Sequence, residues 1–516
     1  MDWTSGYRAD IDYTYGYYRE LAPGLIDFAL LLSGYEPPRR SGSMNYLELG
    51  YGQGVTANIQ AAAGVGEFWG ADFNPVHANH AQSLARVSGA AAHFTDESFG
   101  DMLERDDMPP MDYIVLHGVW SWVSDAHRRA IVDTVRKRLK VGGAVYFSYN
   151  TLPGWTTAMP LRHMMSLHID SMGSDAQGVA TRIDGAIAFG QKLAEANARY
   201  FQHNPLAKGR LDAIAGQNRN YLAHEYFNET WTPMYFSEVN DWLSEAKLSY
   251  ATASSLLEQF DGFNFTAPQR ELMNSMPAGV LRETVRDYML NTQFRRDLYT
   301  RGARRLTPLE QAEQLNNVRV MLCGSPALFP FEADANIGKI SLRRDIYEAV
   351  LEALDADKGG PKRIGDLIDN PKLAAFGGGS VIEAISVLIG VGHAHPALSD
   401  EDTATVAPRC AKLNSYLIDR ARIGNDIQVL ASPVTGSGIS IGRFEQMFLG
   451  ARAKGLKTPT DWAKDAWDLM LRQNQLIVKN NEVLRTAESN LEELQAQAKA
   501  LADDRLPMLR RLKVAD

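Results

Sequence analysis

Residues 44–57 read Met-Asn-Tyr-Leu-Glu-Leu-Gly-Tyr-Gly-Gln-Gly-Val-Thr-Ala, and they constrain the fold more tightly than any other stretch of the chain. Tyr46 to Leu49 predict a short strand. Gly50, Gly52 and Gly54 predict a turn too tight for side chains, and Val55 to Ala63 predict the helix that leaves it. Glycine tolerates positive φ and lets backbone N–H groups approach a ligand closely. A strand, a glycine turn and a helix in that order open an α/β unit. Further strands follow at Phe68–Asp72, Ala90–Phe99, Met111–Val123 and Ala144–Asn150, with a helix over 126–139 whose Ile131, Val132, Val135 and Leu139 recur at helical spacing. This β-α-β-α-β rhythm predicts a doubly wound, Rossmann-like sheet. The Met111–Val123 run is almost continuously apolar, as a parallel strand buried on both faces requires.

An acid, Glu48, precedes the glycines, and no Gly-Lys-Ser/Thr follows them. The resulting E-x-G-x-G-x-G resembles the first motif of domains that bind S-adenosylmethionine (SAM) more than a nucleotide-phosphate loop. Asp72 ends the second strand eighteen residues after Gly54, with Phe73 next to it. An acid near that spacing accepts hydrogen bonds from ribose hydroxyls. The alternative is that Asp72 caps the helix opened by Phe-Asn-Pro. Asp96 is placed to accept from an adenine amino group and Phe99 to lie on its face, against the plainer reading of a solvated loop. Residues after the fourth and fifth strands should line the transfer crevice. His117 and Tyr149 are the candidates to orient or deprotonate a nucleophile, and His117 equally suits contact with the methionine part of SAM. Trp120, Trp122, Tyr149 and Trp155 offer aromatic faces that attract a sulfonium or ammonium, or else serve as ordinary core.

Several chemistries are disfavoured. His117-Gly-Val-Trp-Ser-Trp stands where base-amino methyltransferases carry Asp/Asn-Pro-Pro-aromatic, and no cysteine lies there to attack a pyrimidine. The chain has only two cysteines, Cys323 and Cys410, and neither HExxH nor CxxC occurs, so neither a disulfide scaffold nor a metal site is expected. The net charge of −9 disfavours broad nucleic-acid binding. No apolar run reaches the roughly 18 residues of a membrane span. The acidic, tyrosine-rich N-terminus is not a secretory signal, so a cytoplasmic protein is expected.

Leu47–Gly54, Ala71–Pro75, His117–Val123 and, most specifically, Ser148-Tyr-Asn-Thr-Leu-Pro-Gly-Trp155 resemble bacterial class I methyltransferases that carry a methyltransferase regulatory domain. The rickettsial protein-lysine methyltransferases that act on an outer-membrane protein are the best-understood members. The likeness continues more loosely through His224–Phe227, Tyr235–Phe236, Phe294–Gly302 and Leu430–Gly436. It departs at Tyr13-Thr-Tyr-Gly-Tyr-Tyr18, which suggests a different branch. The resemblance implies SAM as cofactor, a homodimer and methylation of protein lysine. The alternatives are a small-molecule or glycan methyltransferase whose accessory domains form a lid and dimer interface, and a non-catalytic SAM-binding regulator.

The 516 residues exceed one core, and four parts are expected: a catalytic domain at 1–158, a helical regulatory domain at 159–330, a winged-helix-like unit at 331–408 and a C-terminal region at 409–516. Pro160–Ser171, Val179–Phe201 and Glu283–Tyr299 predict helices. Arg295, Arg296, Arg301, Arg304 and Arg305 form a basic cluster, either solvated or docking an acidic partner. The expected third helix of the winged unit, Ser380–Ile389, has no Arg or Lys, so contact with protein rather than DNA is expected. His393 and His395 predict loop structure rather than a metal site. The last ~55 residues predict one long amphipathic helix with a seam at Leu484, Ala487, Leu491, Leu494, Ala498 and Leu501, which pairs in a dimer or lies back on its own chain.

Overall fold

The computed structural model describes residues 14–38, 43–173, 178–228 and 230–516, without the side chains of 220, 221 and 224. Tyr13 and the His224 side chain of the motifs above therefore lie outside the described residues. A seven-stranded sheet organises the first 300 residues. Its strands are β1 (Met44–Leu49), β2 (Gly66–Ala71), β3 (Ala92–Thr95), β4 (Met111–Leu116), β5 (Leu139–Asn150), β6 (Ser249–Ala253) and β7 (Phe294–Thr300). Their order is β3-β2-β1-β4-β5-β7-β6. β1 to β5 run parallel, and β7 pairs antiparallel with both β5 and β6. All six β4 residues are buried, because helices cover both faces. The Val55–Ala63 helix occupies the expected residues, and so, to one residue, does the Asp125–Arg138 helix.

Three expectations need correction. The strand expected over Met111–Val123 stops at Leu116; Gly118 turns the chain at φ +64°, and Trp120–Trp122 form a short 3-10 turn. The helix expected over Glu283–Tyr299 ends at Leu290, where Asn291 is left-handed at φ +50°, and Phe294–Thr300 becomes β7. The sheet therefore does not close within 1–158, because its last two strands come from 249–300. The arginine cluster divides: Arg295 is buried, Arg296 and Arg301 are half-buried, and Arg304 and Arg305 are exposed, each engaged by its own chain. Arg295 is buried among Glu283, Asp287 and Asp297, Arg296 pairs with Glu20, and Arg304 pairs with Glu36 and Glu310. Arg301 donates to the backbone of Leu139, and Arg305 stacks on Tyr35.

The helices Met159–Met172, Val179–Glu195 and Pro205–Ala215 build a separate small core with Trp155, Tyr226 and Phe227. In the stretch read from sequence as a winged unit, helices Arg344–Asp355, Ile364–Ile368 and Gly378–Gly390 pack on a three-stranded sheet formed by Arg319–Leu322, Lys362–Arg363 and Ala394–Pro396. Residues 384–389 of the third helix are all buried, so that helix presents little surface for a groove of DNA. His393 lies in the expected loop, at a bend, whereas His395 lies in the strand Ala394–Pro396. Among the described residues, no group of three or more His, Cys, Asp or Glu is gathered as for a metal. No helix of the described residues is long and apolar enough to cross a membrane.

The C-terminal region is not one long helix. Helices Pro459–Arg472, Ala487–Ala500 and Leu506–Arg511 are separated by a hairpin, Val478–Lys479 with Glu482–Val483, and by a π-helical stretch, Leu501–Arg505. Asn480 and Asn481, both at positive φ, make the turn that breaks the helix. Leu494, Ala498 and Leu501 are buried in the main core of the same chain, so the seam lies back on its own chain.

Candidate functional site

The glycine turn, the segments following β2 and β4 and Phe99 at the start of the Phe99–Glu104 helix enclose a cleft with about 720 Å³ of empty space, including its open mouth. It lies at the carboxyl ends of the strands, where open α/β sheets bind ligands. Glu48, Gly50, Gly52, Asp72, Phe73, Phe99 and His117 of the expected residues line it. Gly54, Asp96 and Tyr149 do not. Gly54 is left-handed at φ +72°, and a Cβ there would sit 2.5 Å from the Ala81 Cβ, so it permits helix packing beneath the site. Asp96 is exposed at the end of β3.

Tyr149 illustrates strand alternation. Tyr146 and Ser148 face His117, whereas Phe147 and Tyr149 belong to the core of the opposite face. The Tyr149 hydroxyl donates to Asp297 (3.0 Å), so this candidate is placed away from the cleft. Of the four aromatic candidates only Trp122 lines the cleft. Trp120 is fully buried with its indole N–H toward Met234 Sδ, and the Trp155 N–H donates to the Gln293 carbonyl.

Asp72 holds the site together. Its Oδ2 accepts from the Gly52 N–H (2.8 Å), tying β2 to the glycine turn; its Oδ1 accepts from Asn74 N–H (3.1 Å) and lies 3.0 Å from His77 Nδ1. The helix cap is Asn74, whose Oδ1 accepts from the Val76 N–H, so the capping alternative for Asp72 falls to its neighbour. A carboxylate has about four lone-pair sites, so Asp72 retains acceptor capacity toward the cleft. Glu48 is buried at 4% exposure. Burial pushes its carboxyl up to about 8; the Tyr46 hydroxyl opposes this and the charge of Asp72 adds to it.

His117 is clamped between aromatic rings. Tyr18 stacks on it at 3.7 Å between centroids, and the edge of Phe294 approaches at 5.7 Å. Its Nδ1 lies 2.9 Å from the Tyr146 hydroxyl, and Ser148 Oγ accepts from the neighbouring Gly118 N–H (2.8 Å). Burial, helped by the charge of Arg296, pushes the imidazole down to about 3. It is therefore neutral near pH 7 and too weak a base to take a proton from an ammonium.

Sequence reasoning missed Tyr18, Tyr51, His77, Gly118, Val119 and Val123 as lining residues. His77 was legible in principle: it lies one helical turn after the Asn74-Pro75 start and so faces back toward Asp72. Tyr18 carried no local signal, because chain entry over the cleft is a tertiary fact.

The cleft fits SAM on its donor set. Two carboxylates line it, and no lysine or arginine does among the described residues. A phosphate would find no cationic partner among these residues, whereas a sulfonium with a free amino group meets acceptors. Gly50, at φ +72°, supplies the cradle: a Cβ there would strike Val119 Cγ2 at 2.5 Å.

Comparison with known proteins agrees. A methyltransferase-domain family model matches residues 47–145, and a predicted methyltransferase regulatory domain matches 218–301. An uncharacterized protein of Synechocystis sp. is 35% identical over 517 residues, covering the whole of both chains. An uncharacterized protein of Rickettsia prowazekii is 29% identical over 237 residues, 45% of this chain and 41% of that one. PKMT2 from Rickettsia typhi has the same fold, with TM-score 0.68, 19% identity, and 98% of this chain and 99% of that one covered. Its structure in complex with AdoHcy gives a TM-score of 0.70 at the same coverage.

Proposed function

Since the chain belongs to the SAM-dependent methyltransferases that carry a methyltransferase regulatory domain, we propose that its acceptor is a lysine amino group of a protein. The observation that carries the acceptor reading is the whole-length likeness to PKMT2; the cleft at the strand ends, acid-lined and without lysine or arginine among the described residues, supports SAM as the methyl donor. SAM, when bound, supplies a methyl group on a positively charged sulfur.

The chain's own residues do the rest. Asp72, fixed by the Gly52 and His77 contacts, would accept from the ribose hydroxyls, and Glu48 would face the cationic methionine end. Phe99 would lie against the base. It is fixed in the first turn of its helix by the Ser98–Asp101 capping box. His117 orients rather than deprotonates. Its Nδ1 shares a hydrogen bond of 2.9 Å with the Tyr146 hydroxyl, which fixes the ring. The amine must then lose its proton to water, and in-line positioning against the methyl provides the rate. Activity should accordingly climb with pH toward the lysine's own range of about 10. The whole-length likeness to PKMT2 supports a protein acceptor, and the helical layer at 159–228 gives a polypeptide a surface to dock on.

The test incubates the protein with methyl-labelled SAM and a lysate of its own organism, then separates macromolecules from small molecules. The expected result is label in the protein fraction, resistant to acid and located on lysine, and abolished by Asp72→Ala. Label confined to small molecules or glycans would overturn the protein reading.

A further inference from the structure

Seven residues, Tyr15 to Leu21, cross the mouth of the cleft and are held from four directions. Tyr18 spans the two lips. Its N–H donates to Thr56 Oγ1 (3.0 Å) in the helix after the glycine turn, and its ring stacks on His117 beyond β4. Behind it, the half-buried Tyr17 hydroxyl lies 2.7 Å from Ser437 Oγ and accepts from the Gly438 N–H (2.7 Å), at the strand Ser437–Ser440. Arg19 donates to the carbonyls of Ile389 (2.8 Å) and Gly390 (3.2 Å), at the C-terminal end of the winged unit's third helix, where a cation is favoured. Glu20 pairs with Arg296 of β7. None of these anchors but Thr56 and His117 belongs to the segment that matches the methyltransferase-domain model.

A stretch this short has no core of its own, so its position is set by its anchors. We propose that Tyr15–Leu21 is a clasp over the cofactor cleft, latched by the C-terminal region through Tyr17, so that contacts outside the methyltransferase domain set how long the cofactor stays bound. Tyr18 is the positioning residue: moving it uncovers one wall of the cleft. Whatever disturbs the Ser437–Ser440 strand or the end of the Gly378–Gly390 helix loosens Tyr18 without touching the glycine turn. The inference rests on the reading that this cleft holds the cofactor.

The test measures the release rate of S-adenosylhomocysteine from the full-length protein by stopped flow, following the change in intrinsic tryptophan fluorescence, to which Trp122 in the cleft wall contributes. Tyr17→Phe keeps the ring and removes only the latch hydrogen bonds; with Ser437→Ala as the second variant, each should speed release about tenfold, the scale of one to two lost hydrogen bonds. Tyr18→Leu, which removes the ring stacked on His117, should also speed release. Asp72→Ala serves as the reference for the cleft itself. Unchanged release in Tyr17→Phe and Ser437→Ala, with Asp72→Ala still weakening binding, would overturn the clasp and leave the cleft assignment standing. Unchanged binding in Asp72→Ala would overturn both.

Discussion

At the scale of single residues, the site works by burying acids. Glu48 sits below the glycine turn, where water cannot stabilise its charge, and its carboxyl is raised from the ordinary value near 4.5 to about 8. The raised value makes the protonated form the stable one in the folded, cofactor-free protein. Its contribution is fully present below the unfolded value and is lost as pH rises toward 8. Glu48→Gln should therefore gain thermal stability relative to the native protein steadily between pH 5 and pH 8.5, read as the difference in Tm; a flat difference would contradict the assignment. The cationic methionine end favours the ionised form, so the native protein should bind S-adenosylhomocysteine more tightly at pH 8.5 than at pH 6.5, and Glu48→Gln should lose that slope. Glu48, Gly50, Gly52 and Asp72 were legible in the sequence because the glycine turn and its acids are local. Tyr149 was misplaced because its role depends on which face of β5 it occupies, and the one-residue alternation of a strand was not anchored by anything nearby.

At the scale of elements, β7 is the piece that sequence patterning misread. Val285, Tyr288 and Met289 carry a helical period up to Leu290, and the next residues are polar and basic enough to extend it on paper. Tertiary packing wins: Arg295 is drawn into the interior by Glu283 and Asp287 on the Val280–Leu290 helix and by Asp297 on its own strand. Burial raises Asp287 to about 6 and Asp297 to about 7, against the pull of the guanidinium. Arg295→Met should cost about 3–5 kcal/mol by leaving those carboxyls buried without their cation. The deficit should widen as pH rises from 5 to 8, because removing the cation raises both carboxyls further. Chemical denaturation at several pH values checks both the size and the sign. The strand order β3-β2-β1-β4-β5-β7-β6 is built only when this regulatory segment is present, which is why the sheet and the 218–301 family match overlap.

At the scale of the molecule, one large core runs from the N-terminal helix Pro23–Leu32 through the glycine-turn helix and the winged unit to Leu509 and Leu512. The C-terminal helix Ala487–Ala500 is part of that core. Its Leu494 is fully buried, so Leu494→Ala should cost about 2–5 kcal/mol. Sedimentation should show the same oligomeric state before and after, because the seam faces its own chain; a change of state would mean the seam is shared between copies. The sequence by itself determined the doubly wound half, its glycine turn, the acids at the ends of β1 and β2, and the three helices of the winged unit. In each, a periodic pattern or a residue of special conformation acts over a few neighbours. Only the tertiary structure decided that 249–300 completes the sheet, that Arg295 turns inward, that the C-terminal seam folds back and that Tyr18 covers His117. Those outcomes depend on contacts between residues tens to hundreds of positions apart, and no local spacing encodes which buried surface each will meet.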